Sequence, residues 1–185
     1  KGMAGATAVS IHCHNDLGMA SANSVMGVAA GADVLEVSVL GIGERNGIGD
    51  LYTVVRLLAD QGIVSGFNHQ DLGLVHAYYS FVDDIVKEQT GQGLISPSTP
   101  VFGRAVHTHV AGTHADGQFG TPAAPFFFLN LLCGRQMVQK YLDLHNIVCN
   151  TARLDEITLA IKDASIQKGR RLKKREIQDI AASLV

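Results

Sequence analysis

Two short runs carry the residue types that do chemistry. The first is His12-Cys13-His14-Asn15-Asp16. Side chains two apart on a strand share a face, so His12 and His14 present their imidazoles together. They close the segment 6–14, whose small and β-branched residues read as a strand. Two imidazoles at the carboxyl end of a strand suit a divalent metal completed by a carboxylate. In parallel α/β folds that end carries the active site. A bare His-x-His is more often two unrelated polar residues, but the Asn-Asp-Leu-Gly that follows at once, with a small-residue helix after it, favours ligation. The second run is Gly41-Ile42-Gly43-Glu44-Arg45-Asn46-Gly47. Its glycines allow positive φ and close backbone approach to a ligand. The spacing is neither that of a Walker loop nor that of a dinucleotide fingerprint. Taken alone, the adjacent Glu44 and Arg45 read as a structural salt bridge.

A third group, His107, His109 and His114, leaves three readings open: a metal site, a pH-sensitive surface, or chance. His109 and His114 do not stack on one helical face. One histidine acting as a general base is therefore favoured over a second metal centre.

The elements that must position these groups alternate in the first part of the chain. Residues 6–14 form a strand and 19–30 a helix closed by Gly31. Residues 33–40 alternate with period two and read as a second strand. Asp50 is an N-cap for a helix over 51–60, which Gly62 ends. Strand, helix, strand, helix with such connections is the grammar of a parallel sheet. The second part is helical. Leu72, Val75, Tyr79, Val82 and Val86 have helical spacing, residues 91–100 form a Gly/Pro/Ser linker, and 126–141 reads as a largely buried helix. Residues 151–166 and 173–184 read as two amphipathic helices, joined by the basic turn Lys168-Gly169-Arg170-Arg171. The run Phe126-Phe127-Phe128 is expected in the core or at a dimer interface.

Composition sets outer limits. The chain has 185 residues, 46% hydrophobic, with a formal charge of -2. It is long enough to bury a core, and its charge excludes a strongly basic nucleic-acid binder. No apolar run is long enough to span a bilayer, so neither nucleic acid nor membrane is an expected partner. Cys13, Cys133 and Cys149 are too few and scattered for a disulfide framework. An intracellular setting, cytoplasmic or mitochondrial, is expected. Two strands leave open sheet edges, which points to a piece of a larger protein that folds poorly or associates in isolation.

The run from Ile11 to Ser24, then Ala30-Gly31-Ala32, then Gly41 to Gly47, resembles the 2-isopropylmalate synthase and homocitrate synthase family. These are metal-dependent Claisen-type acyltransferases on a TIM barrel. The segment Thr108-His109-Val110-Ala111-Gly112-Thr113-His114 is similar to the family's His-x-Ala-Gly-x-His motif. The tail around Ile161-Lys162-Asp163-Ala164 and Arg175-Glu176-Ile177 is similar to a homocitrate synthase C-terminus.

The resemblance implies an α/β fold: the last two βα units of a TIM barrel followed by a mostly helical C-terminal subdomain. Residues 1–66 would complete the catalytic barrel, and 67–185 would serve dimerisation and active-site completion. It implies His12 and His14 as ligands of a divalent metal (Mg, Mn or Zn) and acetyl-CoA as co-substrate. The other substrate is a 2-oxo acid, and the product is a 2-hydroxy dicarboxylic acid. His114 takes the role of catalytic base or proton partner and reaches into a neighbouring subunit, so a homodimer with shared active sites follows. Glu44 is implied as catalytic, and Arg45, Asn46 and His109 as substrate-binding, with Glu44 and Arg45 shaping the acetyl-CoA end of the pocket.

The chain departs from the family pattern in three places. No residue before His12 matches the family's acidic third ligand. Ile48 stands where isopropylmalate synthases place a metal-binding asparagine, as in homocitrate synthases. Pro125-Phe126-Phe127 occupies the region of the family's catalytic tyrosine. Two other readings follow from these departures: a non-catalytic remnant that binds a full-length synthase, and a lyase or aldolase on the same metal scaffold. The Asn15-Asp16 pair disfavours the lyase.

Overall fold

The computed structural model describes residues 7–63, 65–109 and 126–184. The chain divides into two compact units, Lys1–Ser96 and Pro97–Val185. The first is α/β, and the second is mostly helical.

In the first unit, strand β1 (Ser10–His12) pairs in parallel with β2 (Val34–Glu36). Helix α1 (Ala20–Ala29) connects them, and α2 (Leu51–Asp60) follows β2. The register sets Ser10 opposite Val34, Ile11 opposite Leu35 and His12 opposite Glu36. Among the described residues this sheet has two strands. The helix α1 lies close over β1 at Gly27, where an added Cβ would collide with the Ile11 side chain. Val25, Val54 and Leu58 form the buried cluster, with Val28, Leu35, Val37 and Ile63 half-buried around it. Asp50 caps α2 as its position suggests: its carboxylate accepts from the Thr53 backbone N–H at 2.9 Å.

The second strand is shorter than its alternation suggests. After Glu36 the chain leaves the ladder and makes a tight turn over Val39–Gly41, with Leu40 at φ 57°. Apolar alternation reports which face is buried, but a residue joins a ladder only where a partner strand reaches it.

Helix α3 (Leu72–Thr90) is capped by the Asp71 carboxylate and closed by a left-handed Gly91. It belongs to the first compact unit. The tie is Tyr79, fully buried, whose hydroxyl donates to Asp50 Oδ1 at 2.9 Å and accepts from the Tyr52 N–H at 2.7 Å. Burial first, and then the Asp50 charge, push its pKa far up, so it stays a neutral donor.

In the second unit, β3 (Thr108–His109) pairs in parallel with β4 (Phe126–Phe127). Helices α4 (Arg135–Leu144), α5 (Leu154–Lys168) and α6 (Lys174–Ser183) enclose a core that includes Met137, Leu142, Ile157, Ile161 and Ile177, all fully buried. The helix expected over 126–141 is therefore corrected: it starts only at Arg135. Phe126 is exposed and Phe127 buried, a strand's alternation. Asn130 then closes a turn, its side chain accepting from the Leu132 N–H at 2.8 Å, and Gly134 caps the helix. The expected basic turn stands: Gly169 is left-handed at the end of α5. Glu176 gathers Arg170 at 2.8 Å, Lys168 at 3.2 Å and the Lys173 backbone N–H at 2.7 Å. The three cysteines are free. Among the described residues no helix is long and apolar enough to cross a membrane.

Candidate functional site

The two sequence runs meet at the carboxyl ends of β1 and β2. Backbone bonds join them: the Asn15 N–H donates to the Gly47 carbonyl at 2.8 Å, and His14 bridges antiparallel to Ile48. Side chains reinforce the joint. The Arg45 guanidinium grips Asp16 with two nitrogens, Nε to Oδ1 at 3.0 Å and Nη2 to Oδ2 at 2.7 Å. That fork holds the Asp16 carboxyl below the usual carboxylate range. Arg45 thus pairs with Asp16 across the two runs, which replaces the simple Glu44-Arg45 salt bridge that adjacency suggested. Asn15 turns its side-chain oxygen to the Ala20 N–H at 3.1 Å and so ties the start of α1 to the same joint.

The glycine loop must fold tightly to reach this position. Gly47 sits at φ 77°, and a Cβ there would drive into the Gly41 carbonyl oxygen. The Gly47 N–H bonds Glu44 O at 2.9 Å and the Ile48 N–H bonds Gly41 O at 3.0 Å. Arg45 itself adopts φ 56°, a region unusual for a side-chain-bearing residue, and its fork to Asp16 helps hold it there. Glu44 and Asn46 stand exposed on the loop.

At the histidines the two rings lie with centroids 5.0 Å apart and planes 56° apart. His12 Nδ1 contacts Glu36 Oε2 at 2.9 Å, and the Ser10 hydroxyl donates to Glu36 Oε1 at 3.0 Å. These bonds, that from His12 first, lower the Glu36 pKa. His14 Nδ1 is buried and has no hydrogen-bond partner among the described residues. A buried polar atom without a partner costs about 1–3 kcal/mol, so this nitrogen is suited to a ligand. Among the described residues no group of three His, Cys, Asp or Glu side chains is placed to hold a metal ion. The donor set therefore fits a cation through two imidazoles and leaves the remaining ligands to be supplied.

Glu36 was missed in the sequence reading. Parallel pairing in register would have placed it beside His12, but the register is not visible in either strand alone. His109 lies in the second unit on β3, half-buried, its ring 5.7 Å from that of Phe127. His114 lies outside the described residues. A cavity of about 630 Å³ in the second unit is lined by aromatic residues including Phe126, Phe128 and Tyr141, and by Arg170 and Arg171. It contains none of the motif residues.

Comparison with known proteins gives these residues a setting. Residues 3–78 match the HMGL-like family model. A probable 2-isopropylmalate synthase of Methanosarcina acetivorans is 30% identical over 192 aligned positions, covering 96% of this chain and 36% of that protein. A homocitrate synthase of Pyrococcus abyssi is 36% identical, covering 69% of this chain and 33% of that protein. A chloroplastic methylthioalkylmalate synthase of Eutrema japonicum is 40% identical, covering 58% of this chain and 21% of that protein. The chain thus spans about a third or less of the length of these relatives.

Proposed function

We propose, from the HMGL-like domain that residues 3–78 carry and the relation of this chain to the 2-isopropylmalate, homocitrate and methylthioalkylmalate synthases, that the chain is part of an acyltransferase. The reaction is condensation of acetyl-CoA with a 2-oxo acid to a 2-hydroxy dicarboxylic acid. One observation carries the reading: the joint of Asn15 with Gly47, and of Asp16 with Arg45, places the paired histidines and the glycine loop around one strand end.

On this reading β1-α1 and β2-α2 are the last two βα units of a TIM barrel, and the open edges of β1 and β2 are where other barrel strands pair. The region after residue 66 completes the active site and supports a homodimer. His12 and His14 hold a divalent cation, with an acidic ligand from an earlier strand. When bound, such a cation polarises the keto carbonyl of the oxo acid as a Lewis acid. Glu44 and His114 serve proton transfer at the acetyl methyl group. Arg45, Asn46 and His109 bind substrate, and the fork to Asp16 keeps the Arg45 backbone and the loop in place. Ile48 at the end of the loop, in place of a metal-binding asparagine, inclines the choice towards a homocitrate synthase-like substrate.

The test is thiol release from acetyl-CoA by the full-length protein with Mg²⁺ or Mn²⁺ and a panel of 2-oxoglutarate, 2-oxoisovalerate and pyruvate. Turnover with one of them names the substrate. The alternative of a non-catalytic, partner-binding protein draws on the absence of a three-ligand cluster among the described residues. It would be favoured by silence with every acid together with no Mn²⁺ binding.

A further inference from the structure

We propose that Glu36 is a positioning residue, fixing His12 as the tautomer that carries its proton on Nδ1 and leaves Nε2 free to ligate. The inference rests on the metal reading of His12 and His14 above. It begins with the register, which sets His12 opposite Glu36 on adjacent parallel strands. At that position the carboxylate reaches the ring edge, with Oε2 at 2.9 Å from Nδ1. An ionised carboxylate only accepts hydrogen bonds, so the proton of this contact belongs to the imidazole. A neutral ring with Nδ1 protonated has its lone pair on Nε2.

The carboxylate is itself held. The Ser10 hydroxyl donates to the other oxygen at 3.0 Å, from the residue two before His12 on the same strand face. Ser10, Glu36 and His12 thus form a chain that sets both the rotation and the tautomer of the ring. A carboxylate behind a metal-binding histidine raises the basicity of the ligating nitrogen and reduces the ordering needed on binding. His14 has no such support: its Nδ1 is without a partner among the described residues. The two histidines therefore differ, with His12 pre-set by the sheet and His14 held by its bridge to the loop. Glu36 is half-exposed in this chain and lies outside the apolar cluster of its unit.

The test compares wild type, Glu36→Ala and Glu36→Gln in the full-length protein. Mn²⁺ affinity is read by electron paramagnetic resonance. The tautomer is read without metal from the ring nitrogen shifts of ¹⁵N-histidine-labelled protein, the His12 signals being assigned by their loss in His12→Asn. The expected result is a protonated Nδ1 on His12 in wild type and loss of that preference in Glu36→Ala. Mn²⁺ should bind about 10–100-fold more weakly to Glu36→Ala. Glu36→Gln, whose amide oxygen still accepts from Nδ1, should stay within a few-fold of wild type. A Gln variant as weak as the Ala variant overturns the proposal in favour of Glu36 as a direct ligand. Normal wild-type binding with an indifferent Ala variant overturns it alone. Absence of Mn²⁺ binding by wild type removes the metal reading and this proposal with it.

Discussion

The two compact units use their residues differently. In the second, three helices close over an apolar core that runs from Phe127 to Ala181. In the first, the buried cluster comprises Val25, Val54 and Leu58, and Val34 on β2 is 49% exposed. What the first unit has instead is a polar assembly: the Asp16–Arg45 fork, the Ser10–Glu36–His12 chain and the Asp50–Tyr79 tie. Hydrogen bonds exchange water for protein partners and stabilise little in net terms. Burial of apolar surface is the larger contribution. Among the described residues, the second unit closes its own apolar core, whereas the first carries its polar assembly on a two-stranded sheet with open edges.

Four measurements test that contrast. Ile161 is fully buried in the second unit, and Ile161→Ala should cost about 2–5 kcal/mol in denaturant unfolding. Leu35→Ala, at a half-buried site in the first unit, should cost much less; equal losses would remove the contrast. Gly47→Ala comes next. The left-handed backbone and the collision with Gly41 should cost about 1–3 kcal/mol and abolish activity in the full-length protein through the displaced loop. An active Gly47→Ala enzyme would separate the loop from the site.

Tyr79→Phe removes a buried hydroxyl together with its bonds to Asp50 Oδ1 and the Tyr52 N–H, a loss of about 1–3 kcal/mol in thermal unfolding. No change would mean that α3 is held by packing alone.

The smallest expected effect is a pH dependence in the second unit. Arg170 first, then the Lys173 N–H and Lys168, hold the Glu176 carboxyl far below the ordinary glutamate range. A lowered folded pKa gives stability that is present above the unfolded value and lost as pH falls through the folded one. Melting temperatures should therefore drop as the solution is acidified below the ordinary glutamate range, and Glu176→Gln should flatten that part of the profile. The pair network is exposed, so the effect is modest and salt-sensitive. An unchanged acid limb in the Gln variant would assign the loss to other carboxylates.

Much of this was legible in residue order because the signals are local. Asp50, Asp71, Gly91 and Gly169 mark helix ends through bonds and dihedrals that involve only near neighbours. The paired histidines and the glycine loop are likewise local patterns, and their likeness to the synthases needed no structure. The helix misplaced over 126–141 shows the limit. A run of large apolar residues reads alike as buried helix or strand, and the pairing with β3 made it strand.

The contacts that make a site were a different matter. Spacing alone put His12 and His14 on one strand face, and the resemblance to the synthases identified Arg45 as a candidate group. That Arg45 reaches Asp16, that Glu36 stands behind His12, and that Tyr79 caps the start of α2 depend on partners 24 to 29 positions away. Periodicity reports how a segment is buried, not what lies across from it. Which side chains meet over such separations is set by strand register and helix packing, and these exist only once the chain has folded.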